Sequence, residues 1–205
     1  MKGQGQIRII GGQWKRTLIS VPDREGLRPT PDRVRETLFN WLGQRLDEWR
    51  CLDLFAGSGA LGAEAASRGA AQVTLIESHP LVARAIAALI DRLGAADRMR
   101  LIQTNALDWL ARPNPNLPPF DLIFLDPPFG QNWLDQVMPR LAPILAPRGL
   151  VYIESESPVS SDWAARFGLT LVRADKAGLV HYHLLQAHDA ALGEQHAKGG
   201  LSGDL

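Results

Sequence analysis

The sequence predicts an α/β fold in which a mostly parallel, seven-stranded sheet is covered by helices on both faces. First, from Cys51 onward, short apolar runs alternate with helical patterns, which is typical of strands joined by helical crossovers. Second, the glycine turn Gly57-Ser58-Gly59 directly follows the first apolar run and precedes a helix-favouring stretch. Third, two strand-like runs near the end lie too close together to enclose a helix, which predicts an antiparallel terminal hairpin.

Local patterns give the bounds of each element. We expect strands at 51–55, 72–77, 99–103, 120–125 and 149–154, helices at 59–68, 80–93 and 132–145, and a short turn at 106–111. Pro139 and Pro143 disfavour the second half of the last helix. The runs at 169–174 and 179–187 are separated only by Asp175–Gly178, so they should pair as a hairpin at one edge of the sheet.

Residues 1–49 are predicted to form an extension of the main domain. Two short strands within 7–21 flank the turn Gly11-Gly12, and a loop rich in proline, glycine and charge follows. Thr30 or Asp32 could cap the next helix, which carries an apolar stripe and should end before Arg50. So few apolar side chains cannot close a separate core. The main domain then spans 50–187, and residues 188–205, which lack periodicity, are expected to be a disordered tail.

Composition indicates an ordinary globular protein with a reduced cysteine. The 205 residues are 45% apolar and 21% charged, and no apolar run has the length of a membrane helix. The N-terminus lacks the apolar core of a secretion signal, and the single cysteine, Cys51, cannot form an internal disulfide, so we expect a cytoplasmic protein. Cys51 is interpreted as packing, and His181 and His183 lack a suitably spaced third ligand for a metal.

Charge is distributed unevenly along the chain, although the net charge is zero. Residues 1–36 contain eight Lys or Arg and four acidic residues, whereas the rest contains 14 basic and 18 acidic residues. A basic N-terminal segment on a mildly acidic body is typical of a nucleic-acid contact surface. A solvated surface that happens to be basic remains the alternative.

The glycine turn fits two kinds of cofactor. The stretch GSGALG at 57–62 matches the dinucleotide pattern G-x-G-x-x-G, and Glu77 lies where a ribose-binding acid is expected, which keeps a nicotinamide-dependent (NAD(P)) oxidoreductase open. Three features argue against it: Asp53 at the end of the strand would repel a pyrophosphate, the terminal hairpin is foreign to that fold, and no second domain is present. An acid at the loop and a second acid for the ribose suit S-adenosylmethionine, whose sulfonium and amino groups are cationic. Asn105 and Ala106 would then lie beside its adenine.

The second informative stretch is DLIFLDPPF at 121–129, in which a buried-looking strand ends in an acid and two prolines. With this loop the chain resembles class I S-adenosylmethionine-dependent methyltransferases that act on amino groups. It resembles more closely the bacterial RsmD-like family, which methylates the exocyclic N2 of one guanine in small-subunit (16S) ribosomal RNA. The resemblance covers about Arg8 to Gln186. It is carried by GQWK (12–15), LRPTPDRVRETLFNWL (27–42), DLFAGSGALG (53–62), LIES (75–78), LDPPF (125–129) and YIESE (152–156).

The chemistry of the proline loop agrees with this resemblance. A guanine amino group is a poor nucleophile, because its lone pair is delocalised into the ring. Asp126 and the Pro127 carbonyl can accept its two protons and stabilise the charge that develops on nitrogen. Phe129 can stack on a base that has left its helix. We therefore predict Asp126, Pro127 and Phe129 as catalytic residues.

The resemblance also implies a cofactor site, with Thr30 near the methionine end. The predicted cofactor-binding residues are Thr30, Asp53, Phe55, Ala56, Gly57, Ser58, Gly59, Gly62, Glu77, Ser78, Asn105, Ala106 and Asp126. The candidates for RNA contacts, chosen for their charge and place in the chain, are Arg8, Lys15, Arg16, Arg28, Arg33 and Arg35.

The predicted function is N2-methylation of a guanine in small-subunit ribosomal RNA by a monomer, with a ribosomal particle as the partner and no metal. The same loop serves enzymes that methylate adenine in DNA or glutamine in proteins, so these acceptors remain alternatives. A nicotinamide-dependent oxidoreductase and a non-catalytic RNA-binding factor are alternatives of other classes.

Overall fold

The computed structural model describes residues 5–22, 30–112 and 116–189. In these ranges, seven strands form the main sheet. They are β3 (Arg50–Asp53), β4 (Gln72–Glu77), β5 (Met99–Gln103), β6 (Phe120–Leu125), β7 (Leu145–Ser155), β8 (Leu169–Ala177) and β9 (Val180–Ala187). Their spatial order is β5-β4-β3-β6-β7-β9-β8. The first five strands are parallel, and β9 pairs antiparallel with both β7 and β8. The predicted mostly parallel sheet with an antiparallel terminal hairpin is therefore confirmed.

Helices cover both faces of this sheet. One face carries α1 (Asp32–Leu42), α2 (Ala60–Ser67) and α3 (Pro80–Leu93), whose apolar side chains meet those of β3, β4 and β6 in one core cluster. The other face carries the shorter helices α4 (Ala106–Leu110), α5 (Trp133–Val137) and α6 (Ser161–Ala165), which share a second cluster. Strand side chains alternate between the clusters, as Cys51 and Leu52 illustrate, so each helix layer buries one face of the pleat.

The N-terminal hairpin packs on the α1–α2–α3 face. Strands β1 (Gly5–Arg8) and β2 (Leu18–Val21) pair antiparallel in a small separate sheet. Ile9 and Ile19 are almost fully buried in the same cluster as Leu38 and Phe39 of α1. The loop of this hairpin lies against the end of α2, where the Gln13 N–H donates to the Ser67 carbonyl at 2.7 Å. Docking of the hairpin thus depends on apolar burial and on backbone hydrogen bonds together.

Several expected elements differ in their bounds. The helix expected at 132–145 ends as α5 at Val137, and single 3₁₀ turns at Met138–Arg140 and Ala142–Ile144 replace its second half. Pro139 and Pro143 account for this, because each lacks the N–H that a continuing α-helix needs. The turn expected at 106–111 is the short helix α4, and the short helix α6 before the hairpin was not predicted. Strand β7 begins four residues earlier than expected.

No helix in the described part of the chain is long and apolar enough to cross a bilayer. Among the same residues, no group of three or more His, Cys, Asp or Glu side chains is arranged to hold a metal ion. Cys51 is fully buried, and burial raises the pKa of its thiol. Most of the predicted tail, from residue 190 onward, lies outside the described residues.

Candidate active site

The glycine turn after β3 is held by two acidic side chains. Gly57 and Gly59 both have positive φ (53° and 75°), which glycine adopts without strain, and α2 begins at the next residue. Asp53 Oδ2 accepts the N–H of Gly62 at 3.1 Å, and Glu77 Oε2 accepts the N–H of Gly57 at 3.0 Å. The chain is thereby fixed with its backbone close to the carboxyl ends of β3 and β4, where open α/β sheets bind ligands.

Asp53 is an incompletely satisfied buried acid. Its side chain is 1% exposed, and Oδ1 has no hydrogen-bond partner within the described ranges. Burial raises the pKa of this carboxyl to about 7, and the nearby charges of Glu77 and Glu154 act in the same direction, although the Gly62 N–H opposes them. A cationic or hydrogen-bond-donating ligand at Oδ1 would satisfy the carboxylate and favour its ionised form.

The proline loop leaves the neighbouring strand at the same edge of the sheet. β6 pairs with β3 on one side and with β7 on the other, and Leu125 lies beside Ile153. The next residues are therefore Asp126, directly after β6, and Glu154 on β7. The Thr30 hydroxyl lies between these acids, 2.8 Å from Glu154 Oε1 and 3.4 Å from Asp126 Oδ2. Tyr152 donates a second hydroxyl to Glu154 Oε1 at 2.9 Å.

Asp53, Asp126 and Glu154 thus form an acidic cluster at the ends of β3, β6 and β7. Burial raises the pKa of Asp126 well above its usual value, and the charges of Glu154 and Asp53 raise it further. Burial also raises the pKa of Glu154, against the hydrogen bonds from Thr30 and Tyr152. The ion pairs found among residues 5–22, 30–112 and 116–189 do not include these three acids. The cluster is therefore suited to a ligand that carries positive charge.

Glu154 was not predicted as a site residue. The sequence placed it in the motif YIESE at the end of a strand, but gave no reason to distinguish it from a surface acid. The available signal was positional, because β7 lies next to β6 and an acid at its end must lie beside Asp126. The position of Glu154 beside Asp126 therefore follows from the strand order and not from the local sequence.

A cavity of about 340 Å³ opens beside the proline loop. Pro127, Phe129 and Glu154 line it, together with the indoles of Trp133 and Trp163. Phe129 is 42% exposed, so its ring is available to a ligand. The Gly130 N–H donates to Glu156 Oε2 at 3.2 Å, which ties the loop to the end of β7. The cavity combines aromatic and polar lining at a volume typical of a small-ligand site.

The remaining predicted cofactor residues also follow the ends of β3, β4 and β5. Phe55 is half-buried and makes an edge contact with Trp133, while Ala56 and Ser58 are buried. Ser78 is exposed directly after Glu77. Asn105 caps α4 by accepting the Leu107 N–H at 2.8 Å, and Ala106 is buried behind it. Gly62 faces Leu75, where an added Cβ would lie 2.8 Å from Cδ2. The structure thus brings these residues to one edge of the sheet.

The predicted RNA contacts divide into three groups. The side chains of Arg8, Lys15, Arg16 and Arg33 are exposed, although Arg8 also pairs with Asp32 at 3.0 Å. Arg28 lies outside the described residues.

Arg35 does not fit the prediction. Its side chain is fully buried, with Nη1 3.4 Å from Glu64 and Nη2 2.6 Å from Asp32. Arg35 therefore neutralises the buried Glu64 carboxylate on α2. Its side chain does not reach the surface, so it is not available to RNA.

Comparison with known proteins places this architecture in a family. The family model described as "Conserved hypothetical protein 95" matches residues 7–186. The chain belongs to this family. The curated protein named Ribosomal RNA small subunit methyltransferase D of Escherichia coli K12 is 44% identical over 191 residues, which cover 90% of this chain and 91% of that protein. The protein of the same name from Haemophilus influenzae is 40% identical over 190 residues, covering 89% of this chain and 95% of that protein.

The chain is also similar to a solved structure described as "Putative methyltransferase yhhF from Escherichia coli", with 43% sequence identity and a TM-score of 0.77. The alignment covers 90% of this chain and 99% of that chain. The predicted RsmD-like family and the predicted class I methyltransferase fold are therefore confirmed. The comparisons do not favour the oxidoreductase alternative.

Proposed function

We propose that this protein transfers a methyl group from S-adenosylmethionine to the exocyclic N2 of a guanine in small-subunit ribosomal RNA. The observation that carries this proposal is the acidic cluster of Asp53, Asp126 and Glu154, which lies at adjoining strand ends without a compensating ion pair among the described residues. Such a cluster suits a cationic methyl donor and an acceptor that must lose a proton. The names of the relatives support both the reaction and the acceptor class.

The residues at the glycine turn fit the proposed cofactor. When bound, S-adenosylmethionine supplies an electrophilic methyl group on a sulfonium. Asp53 Oδ1, an acceptor without a partner in the described structure, can take a hydrogen bond from an ammonium group. Glu77 can accept from ribose hydroxyls beside the Gly57 N–H, and Asn105 and Ala106 can contact the base. Thr30 is the remaining proposed contact, near the methionine end.

The proline loop then prepares the acceptor nitrogen. Asp126 and the Pro127 carbonyl can each accept one amino proton, which turns the nitrogen lone pair away from the ring and towards the methyl group. Phe129, partly exposed at the cavity, can stack on the extruded base. Most of the rate should come from in-line positioning, since effective molarities can contribute on the order of 7–11 kcal/mol.

The exposed basic residues Arg8, Lys15, Arg16 and Arg33 are proposed to contact phosphates, with the N-terminal hairpin and α1 as the RNA-binding extension. The proposed partner is small-subunit ribosomal RNA within an assembled or assembling particle, since a compact protein reads structured RNA largely by shape. We propose that the protein works as a monomer in the cytoplasm.

The variant Asp126→Ala separates an enzyme from an RNA-binding factor. We expect methyl transfer to fall by at least about 100-fold, because removing one such stabilising group typically costs 10²–10³ in rate. Binding to ribosomal RNA should change little, and turnover should be compared at saturating S-adenosylmethionine, because Asp126 is also a proposed cofactor contact. Asp91→Ala, which removes an exposed acid on α3, is the control and should behave as the wild type. An Asp126→Ala protein with normal turnover would contradict the proposed role of the loop.

A further inference from the structure

We infer that Thr30 and Glu154 form a proton relay with Asp126, in which the Thr30 hydroxyl passes a proton from Asp126 to Glu154. The inference rests on the proposed methyl transfer and assigns a role to Glu154, an acid that touches the reaction only through its neighbours. Glu154 is therefore a positioning residue. It is 3% exposed, and it lines the cavity beside the proline loop.

The geometry of the Thr30 hydroxyl indicates the direction of the relay. A threonine hydroxyl has one proton to donate and can accept at its lone pairs. The Thr30 hydroxyl oxygen lies 2.8 Å from Glu154 and 3.4 Å from Asp126, so Thr30 donates its hydrogen bond to Glu154. The contact with Asp126 is then favourable when Asp126 carries a proton and donates it to Thr30. Tyr152 donates a second hydroxyl to Glu154, which favours the ionised form of Glu154.

The surroundings of Asp126 and Glu154 favour a state in which the two carboxyl groups together hold one proton. The titratable groups that face it are Asp53 on β3, Tyr152 on β7 and Tyr182, which lies beside Glu154 on β9. Within the described ranges, Arg35 contacts this segment through its Nε, which donates to the Thr30 carbonyl at 3.2 Å and not to either acid, and the ion pairs found there do not involve Asp126 or Glu154. Two neighbouring carboxylates without a counter-ion resist double ionisation, as in other carboxyl pairs that hold one proton between them.

The relay keeps Asp126 available as a proton acceptor. When the substrates bind, the Asp126 O–H bond breaks as a new Thr30 Oγ–H bond forms, and the original Thr30 O–H bond breaks as a Glu154 O–H bond forms. After the methyl group has been transferred, the acceptor nitrogen carries one proton too many. Its N–H bond breaks and Asp126 takes this proton. One of the two protons leaves to solvent with the product, and the pair returns to a single shared proton.

The variants Thr30→Val and Thr30→Ser test the relay with almost no change in shape. Valine removes the hydroxyl without altering any charge, whereas serine retains the hydroxyl. We expect kcat at neutral pH to fall by about 100-fold in Thr30→Val, because a positioned proton-transfer group typically contributes 10²–10⁴-fold. Thr30→Ser should stay within a few-fold of the wild type. Activity of Thr30→Val should recover as the pH rises, because solvent can then remove the proton from Asp126.

The variant Glu154→Gln and the double variant Thr30→Val/Glu154→Gln complete the test. Glutamine still accepts a hydrogen bond from Thr30 but cannot take the proton, so its kcat loss should match that of Thr30→Val. The double variant should be no worse than either single variant, because both changes interrupt one path. Because Thr30 is also a proposed cofactor contact, kcat should be measured at saturating S-adenosylmethionine, and affinity for S-adenosylhomocysteine, measured by calorimetry, should fall far less than kcat in Thr30→Val.

Three results would overturn the relay: wild-type kcat in Thr30→Val, additive losses in the double variant, or a loss of cofactor affinity that accounts for the whole effect. The last result would mean that Thr30 acts only as a cofactor contact. Failure of the wild-type protein itself to methylate ribosomal RNA would instead contradict the proposed function, so the two failures are distinguishable.

Discussion

Asp53 shows at the scale of a single residue how a binding site can oppose stability. Its carboxyl is buried, one oxygen has no partner in the described structure, and its pKa is raised to about 7. The folded protein therefore holds this proton more tightly than the unfolded chain between about pH 4 and pH 7. It follows that Asp53 reduces the free energy of unfolding as the pH rises through this window. Binding of a cation would offset the cost of ionising the buried Asp53 carboxyl.

The variant Asp53→Asn should accordingly be more stable and less able to bind the cofactor. Asparagine can still accept the Gly62 N–H but carries no charge, so the thermal midpoint should exceed that of the wild type by several degrees at pH 8. The shift corresponds to a few kcal/mol at most, at about 1.4 kcal/mol per pKa unit, and the difference should shrink towards pH 5. Affinity for S-adenosylmethionine should fall about 10- to 100-fold, as expected for a lost charged hydrogen bond.

Thermal unfolding at the two pH values and calorimetry at pH 8 measure both effects on the same samples. Equal midpoints at pH 8 would contradict the raised pKa of Asp53, and undiminished cofactor affinity would show that Asp53 does not face the ligand.

The N-terminal hairpin is held against α2 by buried polar contacts. Glu64 on α2 accepts the N–H groups of Ile10 and Gly11 at 2.7 and 2.8 Å, and it also pairs with buried Arg35 and Arg68. Arg35 in turn holds the Thr30 carbonyl. The hairpin is therefore joined through two buried charges to the segment that carries Thr30.

Gly12 and Gly94 offer a matched pair of substitutions that tests this docking. Both have positive φ, so alanine costs about 1–2 kcal/mol in backbone strain at either position. A Cβ at Gly94 meets nothing within 4 Å, whereas at Gly12 it would lie 1.9 Å from the Ser67 carbonyl oxygen. Gly12→Ala must therefore lift the loop away from α2.

We expect Gly94→Ala to lower the thermal midpoint by only a few degrees, since about 1 kcal/mol corresponds to about 2–4 °C for a chain of this size. Gly12→Ala should lower it clearly further and should also weaken binding to ribosomal RNA. Equal effects of the two variants on both measurements would argue against a docked hairpin that contributes to RNA binding.

The elements also show what a sequence can reveal and what it cannot. The bounds of α3 were predictable because Pro80 opens the helix and Gly94, in the left-handed conformation, closes it. The acids at the ends of β3 and β6 were predictable because a short apolar run precedes each. By contrast, burial of Arg35 depends on Glu64, which lies 29 residues further along the chain, and no local pattern indicates that pairing. The place of Glu154 beside Asp126 likewise depends on strand order.

At the scale of the whole molecule, charge is separated between a basic N-terminal segment and an acidic site. The exposed Arg8, Lys15, Arg16 and Arg33 belong to the segment that carries the hairpin and α1. Phosphate contacts by such residues release counter-ions, which makes the affinity fall steeply with salt.

Replacing Lys15 and Arg16 together by alanine should weaken RNA binding and reduce the slope of log K against log salt by about 2, or about 1 per lost phosphate contact. Arg140→Ala is the control, because Arg140 is exposed on the 3₁₀ turn after α5, which packs on the opposite face of the sheet. Filter binding or fluorescence titration at several salt concentrations gives the slopes. A slope unchanged by the double replacement would place the RNA elsewhere on the molecule.

The central claim is that the acidic cluster and the proline loop act together on a guanine amino group in ribosomal RNA. The most direct measurement is transfer of labelled methyl from S-adenosylmethionine to small ribosomal subunits that lack the modification, followed by mass spectrometry of the nucleosides. We expect label in N2-methylguanosine from small-subunit ribosomal RNA, and at least about 100-fold slower labelling with Asp126→Ala. Label in another nucleoside, in DNA or in protein, or no label at all, would contradict it.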